Sequence, residues 1–325
     1  MNRISKIFAL GIASIVSVPV SSQALAAGTF TEQAVSVRTP PGTLSGTLML
    51  PSGAGPFPVA LIIAGSGPTD RDGNSKKTGI QTDAYKLLAQ HLAANGIASL
   101  RYDKRFSGNS TFSQPEGDVR FDDFVKDASA LVDFLKTDKR FSKLSVIGHS
   151  EGSLIGMILA QRNPNVGMYV SLEGAGQNAA DLLDEQMRVG GAPQAMVDEV
   201  VSYNEQLKAG KLIASPDPQL MTLFRPSVQP YLISWFKYDP AAELAKLKIP
   251  SLVVQGTTDI QTSVADAKRL AAAVPAAQLE IIPGMNHILR DAPLDRGQNI
   301  ATYTQPQLPL NAQLVPVIVK FIKAH

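Results

Sequence analysis

Short apolar runs alternate with amphipathic ones along most of this chain, and that rhythm limits the fold more than any other feature. Leu48 to Leu50, Val59 to Ile63, Ile97 to Tyr102 and Leu144 to Ile147 read as strands, each set off by Gly, Pro or polar residues. Met168 to Leu172, Ser251 to Val254 and Gln278 to Ile282 continue the series. Between them lie helical patterns. Ala84 to Ala94 carries Leu87, Leu88 and Leu92, and Phe121 to Leu135 carries Phe124, Val125, Ala128, Leu131, Val132 and Leu135 on one stripe. Further helices are predicted near Ala265 to Val274 and Leu310 to Ile322. Strands that are apolar on both faces, separated by helices, call for a mainly parallel sheet covered on both sides, an α/β architecture. The opening stretch, Ala34 to Leu50, has no intervening helix and is predicted to form antiparallel edge strands.

One region departs from the rhythm. From about residue 174 to 248 the chain offers helical patterns, such as Asp181 to Met187 and Gln194 to Leu207, and no convincing core strand. It reads as a helical cap inserted into a single domain of residues 27–325. Inserted after a strand, such a cap overhangs the carboxyl edge of the sheet, where open α/β sheets bind ligands. Met196, Met221, Leu223, Phe224, Tyr231, Leu232, Trp235 and Phe236 are the apolar side chains available to a pocket there. Packing of the cap against the sheet is their alternative use.

Residues 1–26 read as a signal peptide. Arg3 and Lys6 are followed by an apolar run from Ile7 to Val20, then by Ala24, Leu25, Ala26 and Ala27. That run is short of the roughly 20 residues a membrane span needs, so the mature chain is expected to be exported with no stable membrane span. The destination is periplasmic or extracellular, after cleavage near Ala26. Cleavage removes two basic residues and no acid, leaving 28 residues of each sign. A near-neutral chain presents no basic face for nucleic acid. There are no cysteines, which excludes disulfides, thiolate metal sites and a cysteine nucleophile.

The chemistry centres on Gly148-His149-Ser150-Glu151-Gly152. A bare G-x-S-x-G is weak, but here the apolar strand Leu144 to Ile147 leads into it and the helix-forming run Leu154 to Leu159 leaves it. A turn this sharp strains the serine and lifts its hydroxyl to the sheet edge, with glycines where the strand and helix backbones approach closely. A plain helix-capping serine is the alternative. A serine nucleophile needs a base. Of four histidines, His91 lies inside a helical pattern, His149 points away from its neighbour's side chain, and His325 is terminal. His287 remains, in a loop after the strand Gln278 to Ile282. Asp259 follows the strand Ser251 to Val254 and gives the chain order Ser, Asp, His, whereas Asp291 and Asp295 come after the histidine. Asp266 is expected to face solvent on the next helix. For the oxyanion, the Ala64-Gly65-Ser66-Gly67-Pro68 loop and the start of the helix after Ser150 supply the amides of Ser66 and Glu151, with Gly65 or Gly67 as neighbouring choices for the first. Arg71, between Asp70 and Asp72, is expected to brace this loop.

These segments together resemble the α/β-hydrolases over nearly the whole mature length. GSGPTDRDGN at residues 65–74, GHSEGS at 148–153 and GTTD at 256–259 are similar to bacterial carboxylesterases of the serine-aminopeptidase-like branch. The resemblance implies hydrolysis of small-molecule carboxylic esters through an acyl-enzyme, with no metal and no organic cofactor. Two departures stand out. In the turn that family writes D-x-R-G-x-G-x-S, Asp103, Arg105, Gly108 and Ser110 match, while Phe106 replaces the first glycine. The lipase-like His-Gly opening is also absent, since Ala64 precedes Gly65. Peptide hydrolysis by the same triad and a non-catalytic binding role on this fold are the competing readings.

Overall fold

The computed structural model describes residues 30–325. The expected signal peptide and its cleavage site lie outside the described residues. In chain order the strands are β1 (Phe30–Thr39), β2 (Gly42–Pro51), β3 (Phe57–Ile63), β4 (Ala98–Tyr102), β5 (Thr111–Phe112), β6 (Phe141–His149), β7 (Met168–Leu172), β8 (Ser251–Gly256) and β9 (Gln278–Ile282). The α-helices are α1 (Ala84–Ala94), α2 (Phe121–Thr137), α3 (Glu151–Arg162), α4 (Ala179–Val189), α5 (Gln194–Lys208), α6 (Met221–Phe224), α7 (Gln229–Trp235), α8 (Pro240–Leu244), α9 (Val264–Ala273), α10 (Arg296–Ala301) and α11 (Leu314–Ala324).

One sheet runs in the order β1-β2-β4-β3-β6-β7-β8-β9, with β5 pairing β2. The β1–β2 hairpin and the β2–β4 pair are antiparallel, and every pair from β4 onward is parallel. Strand β3 shows why both faces are covered. Its residues Val59, Leu61 and Ile63 enter one buried cluster with α2 and α3, while Ala60 and Ile62 enter another with α1 and α11. A period of two in an all-apolar strand therefore feeds two cores, and each fully buried Leu, Ile or Val contributes roughly 1.5–3 kcal/mol. Helix α1 answers with Leu88 and Leu92 on the stripe it buries.

Between β7 and β8 the described elements are all helical, α4 to α8, and they form a third apolar cluster that includes Val200, Leu207, Phe224 and Phe236. The last predicted helix begins later than its apolar pattern, at Leu314. Asn311 is the cause: its N–H donates to Leu289 O at 2.9 Å and its side chain receives Gln313 N at 2.9 Å, tying this stretch to the 284–292 loop instead. Asp266 does not face solvent. It is 1% exposed, closes a capping box with Ser263 at the start of α9, and accepts Gly176 N at 3.0 Å.

Candidate active site

Register brings the ends of β3 and β6 side by side, with Ile63 opposite Gly148. A Cβ on Gly152 would stand 2.3 Å from Ile63 O, and one on Gly148 would stand 2.2 Å from Gly152 O. Only glycine fits at either place, so the chain can turn from strand to helix within a few residues. Ser150 sits at that turn with φ 54 and ψ −121, a conformation that costs a non-glycine residue about 1–3 kcal/mol and is kept only where the surroundings enforce it. Its amide donates to Leu172 O at 2.9 Å, and it lines a cavity of about 660 Å³ that is also lined by residues of α4 and α7.

Asp259 and His287 meet as expected. The His287 Nδ1 lies 2.7 Å from Asp259 Oδ2, and the carboxylate is fully buried. Burial alone would raise the Asp259 carboxyl, but the charge and hydrogen bond of His287 outweigh it and hold the group well below the usual carboxylate range. Gln261 N, Thr262 N and Thr262 Oγ1 also donate to it. An ionised carboxylate only accepts, so Nδ1 carries the proton and Nε2 is left as the basic nitrogen.

No hydrogen bond joins Ser150 Oγ to His287 among the described residues, a contact that in resting sites is commonly long. What ties the two segments is His149. Its Nε2 lies 2.7 Å from the main-chain oxygen of His287, and the two imidazole centroids are 4.8 Å apart. Since a carbonyl only accepts, Nε2 bears the hydrogen and Nδ1 accepts from Tyr85 Oη at 2.8 Å. Tyr85 Oη in turn accepts Gly65 N at 3.2 Å. Burial, with the neighbouring His287 adding to it, pushes His149 from 6.5 down to about 3, so it stays neutral and serves as a strut between three loops.

The Gly65 to Asn74 loop is braced as Arg71 suggested, with a different partner. The guanidinium spans Asp103, through Nε at 3.1 Å and Nη2 at 2.5 Å, and reaches Thr47 and Ser45 of β2. Asp70 instead accepts Asp72 N and Asn74 N, and Asp72 accepts Arg101 Nε. Phe106, the departure from the family turn, has φ 63: the backbone keeps the left-handed shape that glycine favours. Its ring lines the cavity and is 39% exposed.

Ser66 and Glu151 both line the cavity, and among the described residues neither amide is taken by a turn, loop or cap hydrogen bond. Of the eight apolar side chains singled out between β7 and β8, Leu223, Tyr231, Leu232 and Trp235 line the cavity. Phe224 and Phe236 are buried in the third apolar cluster, Met196 packs against that cluster, and Met221 is exposed. Sequence reasoning missed Tyr85, Lys104 and Glu173. Glu173 follows β7 at φ 48, is fully buried and accepts Gly256 N at 2.9 Å; burial, then the charge of Asp259, raises its carboxyl well above the ordinary value. A lone acid closing an apolar strand was the signal for it.

Residues 79–178 match the family model described as serine aminopeptidase, S33. The chain is similar to esterase EstD of Thermotoga maritima, 29% identical over 230 residues, a match that takes in 69% of this chain and 52% of that protein. The chain thus spans about half the length of that relative. Among solved structures, Est1E from Butyrivibrio proteoclasticus superposes with a TM-score of 0.58 at 17% identity, over 90% of this chain and 99% of that one. The Pyrococcus furiosus esterase Pf2001 gives 0.56 at 16% identity, over 91% of each chain.

Proposed function

We propose that this chain, which has the α/β-hydrolase fold of its solved neighbours, is an esterase, cleaving small-molecule carboxylic esters with Ser150, His287 and Asp259 as its triad. The observation that carries this reading is the 2.7 Å contact between Asp259 and His287, together with a strained serine that lines the cavity. His287 Nε2 takes the Ser150 proton as Oγ attacks the ester carbon. The amides of Ser66 and Glu151 receive the developing oxyanion, and the imidazolium returns its proton to the leaving alcohol. Water, deprotonated by the same ring, then releases the acid from the acyl-enzyme. Asp259 steadies the ring's positive charge throughout. Leu182, Leu223, Leu232 and Trp235 give the cavity an apolar wall suited to the hydrocarbon part of an ester.

The helices between β7 and β8 act in this reading as a cap over the sheet edge, within the inserted stretch of about residues 174–248. Export after cleavage near Ala26 also belongs to the proposal, supported by the basic, apolar and small-residue order of residues 1–26. Among the described residues no helix is long and apolar enough to cross a membrane. A peptidase is the second reading, favoured by the family model's description. Parallel assays on p-nitrophenyl esters of increasing acyl length and on aminoacyl anilides separate the two. Esters turned over and anilides left intact are the expected result; the reverse pattern replaces esterase with peptidase.

A further inference from the structure

The two amides assigned to the oxyanion belong to different segments, and one buried cation touches both. Lys104 leaves the end of β4, and its Nζ donates to Gly65 O at 2.8 Å and to Glu151 Oε1 at 2.7 Å. Strands β4, β3 and β6 are neighbours in the sheet. The side chain therefore reaches from the end of the first, past the loop of the second, to the helix that follows the third. Both ionic side chains are 2% exposed, and Nζ stands 4.7 Å from the centroid of the Phe124 ring.

Stability is a poor reason to keep such a pair, because desolvating two charges consumes most of what their attraction returns. Geometry gives a better one. Gly65 O and the N–H of Ser66 are the two ends of one planar peptide group, and in a trans peptide they point in opposite directions. A cation fixed on the oxygen thus aims the N–H the other way and polarises it as a donor. Glu151, held by the same ammonium, carries the second N–H on its own backbone.

We propose that Lys104 is a positioning residue of the oxyanion hole, holding the Gly65–Ser66 peptide plane and the first residue of α3 in register for a tetrahedral intermediate. It rests on the reading that Ser66 and Glu151 supply the oxyanion donors. The effect belongs to the transition state, so it should appear in kcat and leave KM nearly untouched.

The test uses the full chain and three variants: Lys104→Met, Glu151→Gln and the double Lys104→Met/Glu151→Met. Each is measured for kcat and KM on one ester, for Tm, and for inhibition by a trifluoromethyl ketone bearing the same acyl group. Lys104→Met alone strands a buried carboxylate and is expected to lower Tm, whereas the double variant removes both charges and recovers it. Loss of kcat in the double variant by about tenfold to a hundredfold, with the ketone weakened in the same proportion, supports the clamp. Glu151→Gln keeps an oxygen acceptor for the ammonium, so its kcat should fall less than that of the double variant, and an equal or larger fall overturns the clamp. A double variant with wild-type kcat overturns the proposal, as does one whose kcat falls while ketone affinity stays unchanged. Wild-type protein that neither hydrolyses esters nor reacts with a fluorophosphonate removes the esterase reading itself, and the clamp with it.

Discussion

Replacing His149 with Gln should flatten the acid limb of the stability curve. The imidazole is buried between Tyr85 Oη and the main-chain oxygen of His287, and its value falls from 6.5 to about 3 on folding. Between those two values the unfolded chain binds a proton that the folded chain refuses. Stability therefore rises with pH across this window and is lost as pH falls from 6.5 towards 3. For one group with these two values, the loss from about pH 7 to about pH 4.5 comes to roughly 2.5 kcal/mol. A glutamine amide can still donate to His287 O and accept from Tyr85, yet it takes up no proton. Urea unfolding of wild type and His149→Gln at both pH values isolates the effect, because every other titrating group appears in both proteins and cancels. The wild type should lose about 2–3 kcal/mol more than the variant. Equal losses would mean that His149 titrates normally in the folded state, and the neutral strut would be wrong.

Asp259→Asn removes the acceptor that fixes the Nδ1–H tautomer of His287 and should cut kcat by about ten thousand-fold, measured on a p-nitrophenyl ester, while the fold survives. Gly152→Ala drives a Cβ to 2.3 Å from Ile63 O and 2.7 Å from Ala64 O, both rigid backbone atoms. It should cost about 1–3 kcal/mol in chemical denaturation and displace the Ser150 turn, so activity falls with stability.

Local patterns were legible in the sequence, and contacts between distant segments were not. The unbroken apolar run of β3 and the 3.6-residue spacing in α1 and α2 follow from which faces are buried, so strands, helices and the parallel sheet could be read directly. The Ser150 turn was legible because its glycines are demanded by backbone approach. Asp259 and His287 came from chain order, which the fold imposes. Nothing in the order of residues says that Arg71 pairs with Asp103 and not with Asp70 or Asp72, or that Asp266 turns inward to Gly176. His149 was set aside as a base, and its two partners, Tyr85 and the main chain of His287, are 64 and 138 residues away. Phe106 stood out as a departure, and only its φ of 63 shows that the turn kept its shape under strain.

The most direct measurement is mass-spectrometric mapping of a fluorophosphonate adduct, alongside ester turnover by Ser150→Ala. A single adduct on Ser150, with turnover reduced about ten thousand-fold or more in the variant, is the expected result. Labelling at another residue, or a variant that still hydrolyses esters, would contradict the assignment of Ser150 as nucleophile.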